Sequence, residues 1–205
     1  MAGKDWLSAR RAEVASDRIL DAAGKLFTDT DVSSVGMHEI ARAAGCSRAT
    51  LYRYFENREA LHAAYVHREA YRLYQQMGEL IDGIEDPRER LVAGLTASLR
   101  LVRESPPLSA WFTTTGSPIG AEMADQSEVI QALSSAFLLS LRPDEPDVVQ
   151  RRARWLVRVL TSLLIFPGRD PDDERAMLEE FVVPLVCPTH VSQRPSHTTG
   201  VRAPS

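Results

Sequence analysis

Cysteine is scarce in this sequence: Cys46 and Cys187 are the only two among 205 residues. So far apart, they form neither a disulfide framework nor a metal-type pair, which excludes zinc-finger readings and suits a reducing compartment. Long apolar runs are missing too. No window approaches the ~18 consecutive apolar residues of a membrane span, and the first fourteen residues lack the apolar middle of a secretory signal. A soluble, cytoplasmic protein without a membrane partner is expected. Lysine is rare, with two among 24 basic residues, and the net charge is −4. Any surface that attracts nucleic acid therefore has to be local.

Catalytic signatures are absent as well. There is no phosphate-cradling glycine-rich loop and no nucleophile elbow, and most Asp/Glu pairs fall in first helical turns, where the helix dipole accounts for them. The histidines are scattered. His62 and His67 lie on different faces of a helix, and His38-Glu39 lacks the second histidine of a zinc-protease helix. No enzyme activity, cofactor or metal is expected. Cys46 reads as a small buried hydrophobe rather than a redox sensor.

What is present is helical periodicity, almost without strand alternation, in a chain whose 44% apolar and 25% charged residues are ordinary for a globular protein. The fold class is all-α, with about nine helices and no internal repeat. A first helix is carried by Ile19, Ala23, Leu26 and Phe27, and a second, short one by Met37, Ile40, Ala41 and Ala44. Gly45 stops the second helix, because glycine accepts the left-handed conformation, and Ser47 caps a third. Asn57 caps a long helix over about 58–80. Later starts follow a cap-then-proline pattern at Asp86-Pro87, Ser105-Pro106, Ser117-Pro118 and Asp170-Pro171, with another at Asp144 and Pro146. The last two helices are expected at roughly 146–166 and 171–186, and a disordered tail at 188–205.

The segment from Gly36 to Phe55 has the layout of a helix-turn-helix, in which the second helix enters the major groove of DNA. Residues 36–58 carry four arginines against two acids, whereas residues 61–205 carry 15 basic against 19 acidic residues. The first turn of the third helix presents Ser47, Arg48, Ala49 and Thr50, a guanidinium, hydroxyls and small surfaces suited to guanine edges, phosphates and thymine methyls. Tyr52, Arg53 and Tyr54 follow at its exposed end, and Arg58 starts the next helix beside them. Leu51 and Phe55 face inward as framework.

The stretch from Met37 to Leu61, MHEIARAAGCSRATLYRYFENREAL, resembles the DNA-binding signature of TetR-type transcriptional regulators, about a dozen matching positions without a gap. Gly36 departs from it. The family usually has Thr or Ser there, capping the second helix and touching a phosphate, so in this chain that contact has to come from a backbone N–H. Cys46 replaces the usual valine, and Arg58 the usual lysine, which keeps the charge and adds a bidentate donor. The resemblance implies a DNA-binding domain over residues 1–57 that contacts double-stranded DNA through Gly36, Met37, Ser47, Arg48, Ala49, Thr50, Tyr52, Arg53, Tyr54 and Arg58. It implies an effector-binding and dimerisation domain over residues 58–187.

In that second domain the resemblance implies a cavity for a small apolar effector, with Tyr74, Met77, Leu101, Trp111, Phe112 and Met123 as candidate lining. The last two helices carry wide apolar stripes that either close the subunit's own core or pair with a second copy. The resemblance implies a homodimer through Trp155, Leu156, Val159, Leu163, Leu178, Phe181, Val182 and Leu185, with Arg152 and Arg158 at the rim. The function implied is ligand-responsive transcriptional regulation, most often repression. Two other classes fit the same composition: a helical-bundle enzyme or carrier, and an architectural DNA-binding protein without an effector.

Overall fold

Every regular element among the described residues is helical, and the sequence punctuation accounts for most of the boundaries. A computed structural model describes residues 5–112 and 119–187. The helix start expected at Ser117-Pro118 and the tail expected at 188–205 lie outside these residues. The helices are α1 (Asp5–Asp29), α2 (Met37–Ala43), α3 (Arg48–Tyr54), α4 (Arg58–Leu80), α5 (Pro87–Glu104) and α6 (Pro106–Ser109), the last continuing into a 3-10 turn, Ala110–Phe112. Then come α7 (Ile119–Gln126), α8 (Glu128–Leu141), α9 (Pro146–Ile165), α10 (Pro171–Met177) and α11 (Val183–Val186), the last two joined by a π turn, Leu178–Val182. No described helix is long and apolar enough to cross a membrane.

The caps follow from side-chain chemistry. Asn57 accepts from the Ala60 N–H, Asp86 from the N–H groups of Arg88 and Glu89, Ser127 from Ile130 and Asp170 from Asp173. The π turn has its cause in Pro184, which has no N–H to donate and whose ring crowds the preceding turn. Val183 N–H bonds the Leu178 carbonyl five residues back, which absorbs the irregularity without ending the rod.

Two apolar cores result. The first is built from α1, α2 and α3, including Phe27, Ile40 and Leu51, and extends through Leu61 and Tyr65 of α4 to Trp111. The second joins α4, α5, α8, α9 and the last rod around Leu91, Leu95, Phe137, Leu156 and Leu178. Helix α4 belongs to both, giving Leu61 and Tyr65 to one and Met77 to the other. The last rod is pinned by an ion pair whose carboxylate is buried and whose guanidinium reaches the surface. Arg103 of α5 donates to both carboxylate oxygens of Glu174 at 2.7 Å and to the Leu163 carbonyl at 2.9 Å, while Gly168 N–H donates to the same carboxylate at 2.9 Å. This holds the Glu174 carboxyl below the usual range.

Candidate nucleic-acid interface and effector cavity

The turn between α2 and α3 is set by backbone geometry. Gly45 sits at φ +65, Cys46 N–H reaches back to the Ala41 carbonyl at 3.0 Å and Gly45 N–H to that of Arg42 at 3.1 Å, which together make a Schellman closure. Ser47 then starts α3: its hydroxyl accepts from Thr50 N–H at 3.0 Å and lies 2.9 Å from the Thr50 hydroxyl. Leu51 and Phe55 are buried in the first core, so the opposite face of α3 is fixed outward. On that face Ser47, Arg48, Ala49, Tyr52 and Arg53 are exposed, with Arg53 over the ring of half-buried Tyr54 at 5.3 Å.

Three of the expected contact residues are also structural. Met37 and Tyr54 are half-buried against the first core. Arg58 donates to the Ser33 carbonyl at 2.7 Å and so tethers the segment that leads into α2. At Gly36 the N–H is already engaged in the DNA-free chain. Glu39, three residues into the helix, accepts from Gly36 N–H at 2.9 Å, so this donor is satisfied within the protein.

At the junction of the two cores lies an aromatic cluster. Trp111 is stacked on Tyr65, with ring centroids 5.8 Å apart, and meets Phe27 and His62 edge-on at 5.3 and 5.1 Å. His62 is buried, with its Nε2 unpartnered among the described residues. Desolvation, aided by the charge of Arg58, lowers its pKa from the ordinary 6.5 to about 4. The folded imidazole thus stays neutral in a window where the unfolded chain binds a proton. Stability is expected to fall by on the order of 2–3 kcal/mol as the pH drops from 6.5 to about 4. Melting temperatures of the parent and His62→Phe across this range check it: the variant should lose most of the slope, and an unchanged slope would assign the dependence to other groups.

Trp111 also lines a cavity of about 190 Å³ between α4, α5, α7, α8 and α9. Of the expected lining residues, Tyr74, Met77, Trp111 and Phe112 border it, and Leu101 and Met123 do not. On α5 the cavity face is Leu95, Ser98, Leu99 and Val102, at i, i+3, i+4 and i+7. Leu101 is one step out of that phase and borders an adjoining groove, while Met123 packs against the first core. Sequence reading missed Glu69 and Ser98, and also Phe137 and Leu156, which present no pattern distinct from a solvated face or a core stripe.

The expected dimer face is corrected in the same way. Leu156, Leu178 and Val182 are buried in the subunit's own second core and cannot reach a partner. Val159 and Leu163 are half-buried against that core, whereas Trp155 is exposed, as are Phe181 at 59% and Leu185 at 56%. Phe166, absent from the sequence reading, is the most exposed large apolar residue among the described residues at 71% and extends the stripe of Trp155, Val159 and Leu163 by about one more turn. Arg152 and Arg158 pair within the subunit, with Asp144 and Asp125 respectively.

Residues 19–65 match the family described as bacterial regulatory proteins, tetR family. Over 200 residues the chain is 62% identical to an uncharacterised HTH-type transcriptional regulator of Mycobacterium tuberculosis, covering 98% of this chain and 99% of that one. It is 26% identical over 193 residues to the HTH-type transcriptional regulator AlkX of the same species, 88% of each chain. Among solved structures it is similar to the TetR family repressor AlkX from a Dietzia strain, implicated in biodegradation of n-alkanes. That likeness has a TM-score of 0.62 at 25% identity and covers 82% of this chain and 96% of that one. Thermus thermophilus FadR, a transcriptional repressor in complex with lauroyl-CoA, shares the fold, with a TM-score of 0.60 at 24% identity over 88% of this chain and 98% of that one.

Proposed function

Since the chain belongs to the TetR family of bacterial transcriptional regulators, we propose that it is a cytoplasmic, ligand-responsive repressor that binds a palindromic operator as a homodimer. The observation that carries this reading is the outward face of α3, pinned by the Gly45 turn and the Ser47 cap and bearing Arg48, Tyr52 and Arg53. Arg48 near the helix start suits a guanine edge, and Arg53, Tyr52 and Arg58 suit phosphates. Two copies related by a two-fold axis, about 34–36 Å apart, read two half-sites on one face of the duplex. The exposed stripe of Trp155 and Phe166 on one rod, with Phe181 and Leu185 on the other, is the surface that supports pairing.

The cavity supports the switch. Trp111 stands in its wall and in the core of the DNA-binding helices at once, so a ligand that repacks this residue also bears on α1 and α4. One conformation places the two α3 helices at successive major grooves, and the other, favoured by effector, moves them out of register. The shift equals the effector's differential affinity for the two, so operator and effector binding oppose one another.

A gel-shift titration tests the docking. Arg48→Ala should reduce discrimination between operator and random DNA by about 1–3 kcal/mol, while Arg58→Ala weakens binding to all duplexes about equally. If both variants keep the parent's affinity and selectivity, α3 does not read DNA in this way.

A further inference from the structure

The cavity does not end at its apolar wall. Glu69, Leu73 and Leu108 border both the cavity and a polar groove that also holds Arg72, Gln76, Glu104 and Ser105. The two adjoin across these three residues, which places the groove as a polar mouth beside the apolar chamber, and the charges are lopsided. Among the described residues, no lysine, arginine or histidine lines the chamber, and Glu69 is its only charged side chain. The two cations nearby are already engaged. Arg68 is mostly buried and meets Asp21 and Glu69 at 2.9 Å and Asp17 at 3.4 Å, while Arg72 meets Glu69 at 2.9 Å. With Glu104 also in the groove, its lining carries two carboxylates against the single guanidinium of Arg72, which is already paired with Glu69.

The geometry points to an effector that is an amphiphile with an apolar, chain-like body and an uncharged hydrogen-bonding head, such as a medium-chain alcohol, and to a site that rejects carboxylates and acyl-CoA thioesters. An ionised head brought to this mouth finds no free cation, meets an excess of negative charge, and loses its hydration without a compensating partner. A hydroxyl has what it needs from Gln76 and Ser105, both neutral and able to donate and accept. Ser98 inside the chamber spends its hydrogen on the Gly94 carbonyl at 2.8 Å and offers only an acceptor. This inference rests on the regulator reading for its biological role, but its chemistry is tested separately from DNA binding.

The probes are 1-decanol, decanoate and decanoyl-CoA, titrated by calorimetry and by thermal shift into the full chain at a pH of about 8. Decanol should bind at least about thirtyfold more tightly than decanoate, given the unpaired charge the acid would bury, and decanoyl-CoA should not compete. Glu69→Gln frees Arg72 and should bring decanoate to within a few-fold of decanol, a gain that simple loss of packing does not produce. Ser134→Phe, which fills the chamber, should abolish decanol binding with its melting temperature monitored in parallel. Equal binding of decanoate by the parent, or no binding of decanol, overturns the inference. A gel shift on a selected operator separates the two readings: an anionic ligand that releases DNA leaves the regulator reading intact and ends this one, whereas failure to select any DNA ends the former alone.

Discussion

Trp111→Ala is expected to destabilise the protein by about 3–5 kcal/mol, the usual cost of truncating a large aromatic in a well-packed core. For a chain of this length that corresponds to a drop in Tm of roughly 10 °C or more. The residue is buried and touches Phe27 of α1 and His62 and Tyr65 of α4. Its removal therefore opens a void between the DNA-binding helices and the chamber, not at the rim of either. Trp111→Phe keeps most of the apolar contact and should lose much less. Thermal melting monitored by circular dichroism makes the comparison. A Trp111→Ala variant that melts within a degree or two of the parent would mean that the two cores are not joined through this ring.

Gly45→Val should weaken operator binding by more than about tenfold while lowering stability by about 2 kcal/mol. Both effects come from the left-handed backbone at φ +65, which costs an L-residue about 1–2 kcal/mol, with β-branching adding to it. A new Cβ would also lie 2.9 Å from Arg18 Nη2. That atom ends a flexible, exposed side chain and can move aside, so backbone strain decides the outcome and not the clash. Relief requires the Schellman closure to open, which changes the angle at which α3 leaves the turn. Gly45→Asn is the control, since asparagine enters this region with less strain, and it should retain most of the affinity. Gel-shift titration beside thermal melting distinguishes misdirection of α3 from unfolding. Parent-like affinity in Gly45→Val would show that the turn does not set the recognition angle.

The parts of the molecule that were legible in the sequence are those governed by local chemistry. Gly45 followed by Ser47 announces a turn and a cap because both effects act within one turn of helix, and the structure has them at those residues. Asn57, Asp86 and Asp170 mark helix starts for the same reason. What periodicity could not supply was the phase of a helix whose apolar stripe is wide. On α9 the stripe holds enough apolar positions for two faces, so Leu156, turned inward, and Trp155, turned outward, look alike until neighbouring helices choose between them. The same ambiguity placed Leu101 in the chamber when it borders the groove. Phe166 is the last residue of the helix expected over 146–166 and the C-cap of α9 in the structure, a helix end where periodicity no longer tells which way a side chain turns. The partner of the Gly36 N–H was not legible, because a glycine N-cap leaves open which group three residues on will close it, and Glu39 does. Glu69 was invisible as a wall residue. Flanked by Arg68 and Arg72, it reads as part of a solvated charged face, and only the packing of α5 and α8 against α4 brings it to the chamber.

The central claim is that α3, held at the Gly45 turn, reads duplex DNA in two copies at once. Repeated selection of bound fragments from randomised duplex DNA by the purified full chain, with footprinting of the enriched sequence, addresses it directly. The account predicts an inverted repeat whose half-site centres lie about one helical turn, or a multiple of it, apart, protected along one face of the duplex. An unenriched pool, or a single half-site occupied by a lone chain, would contradict it.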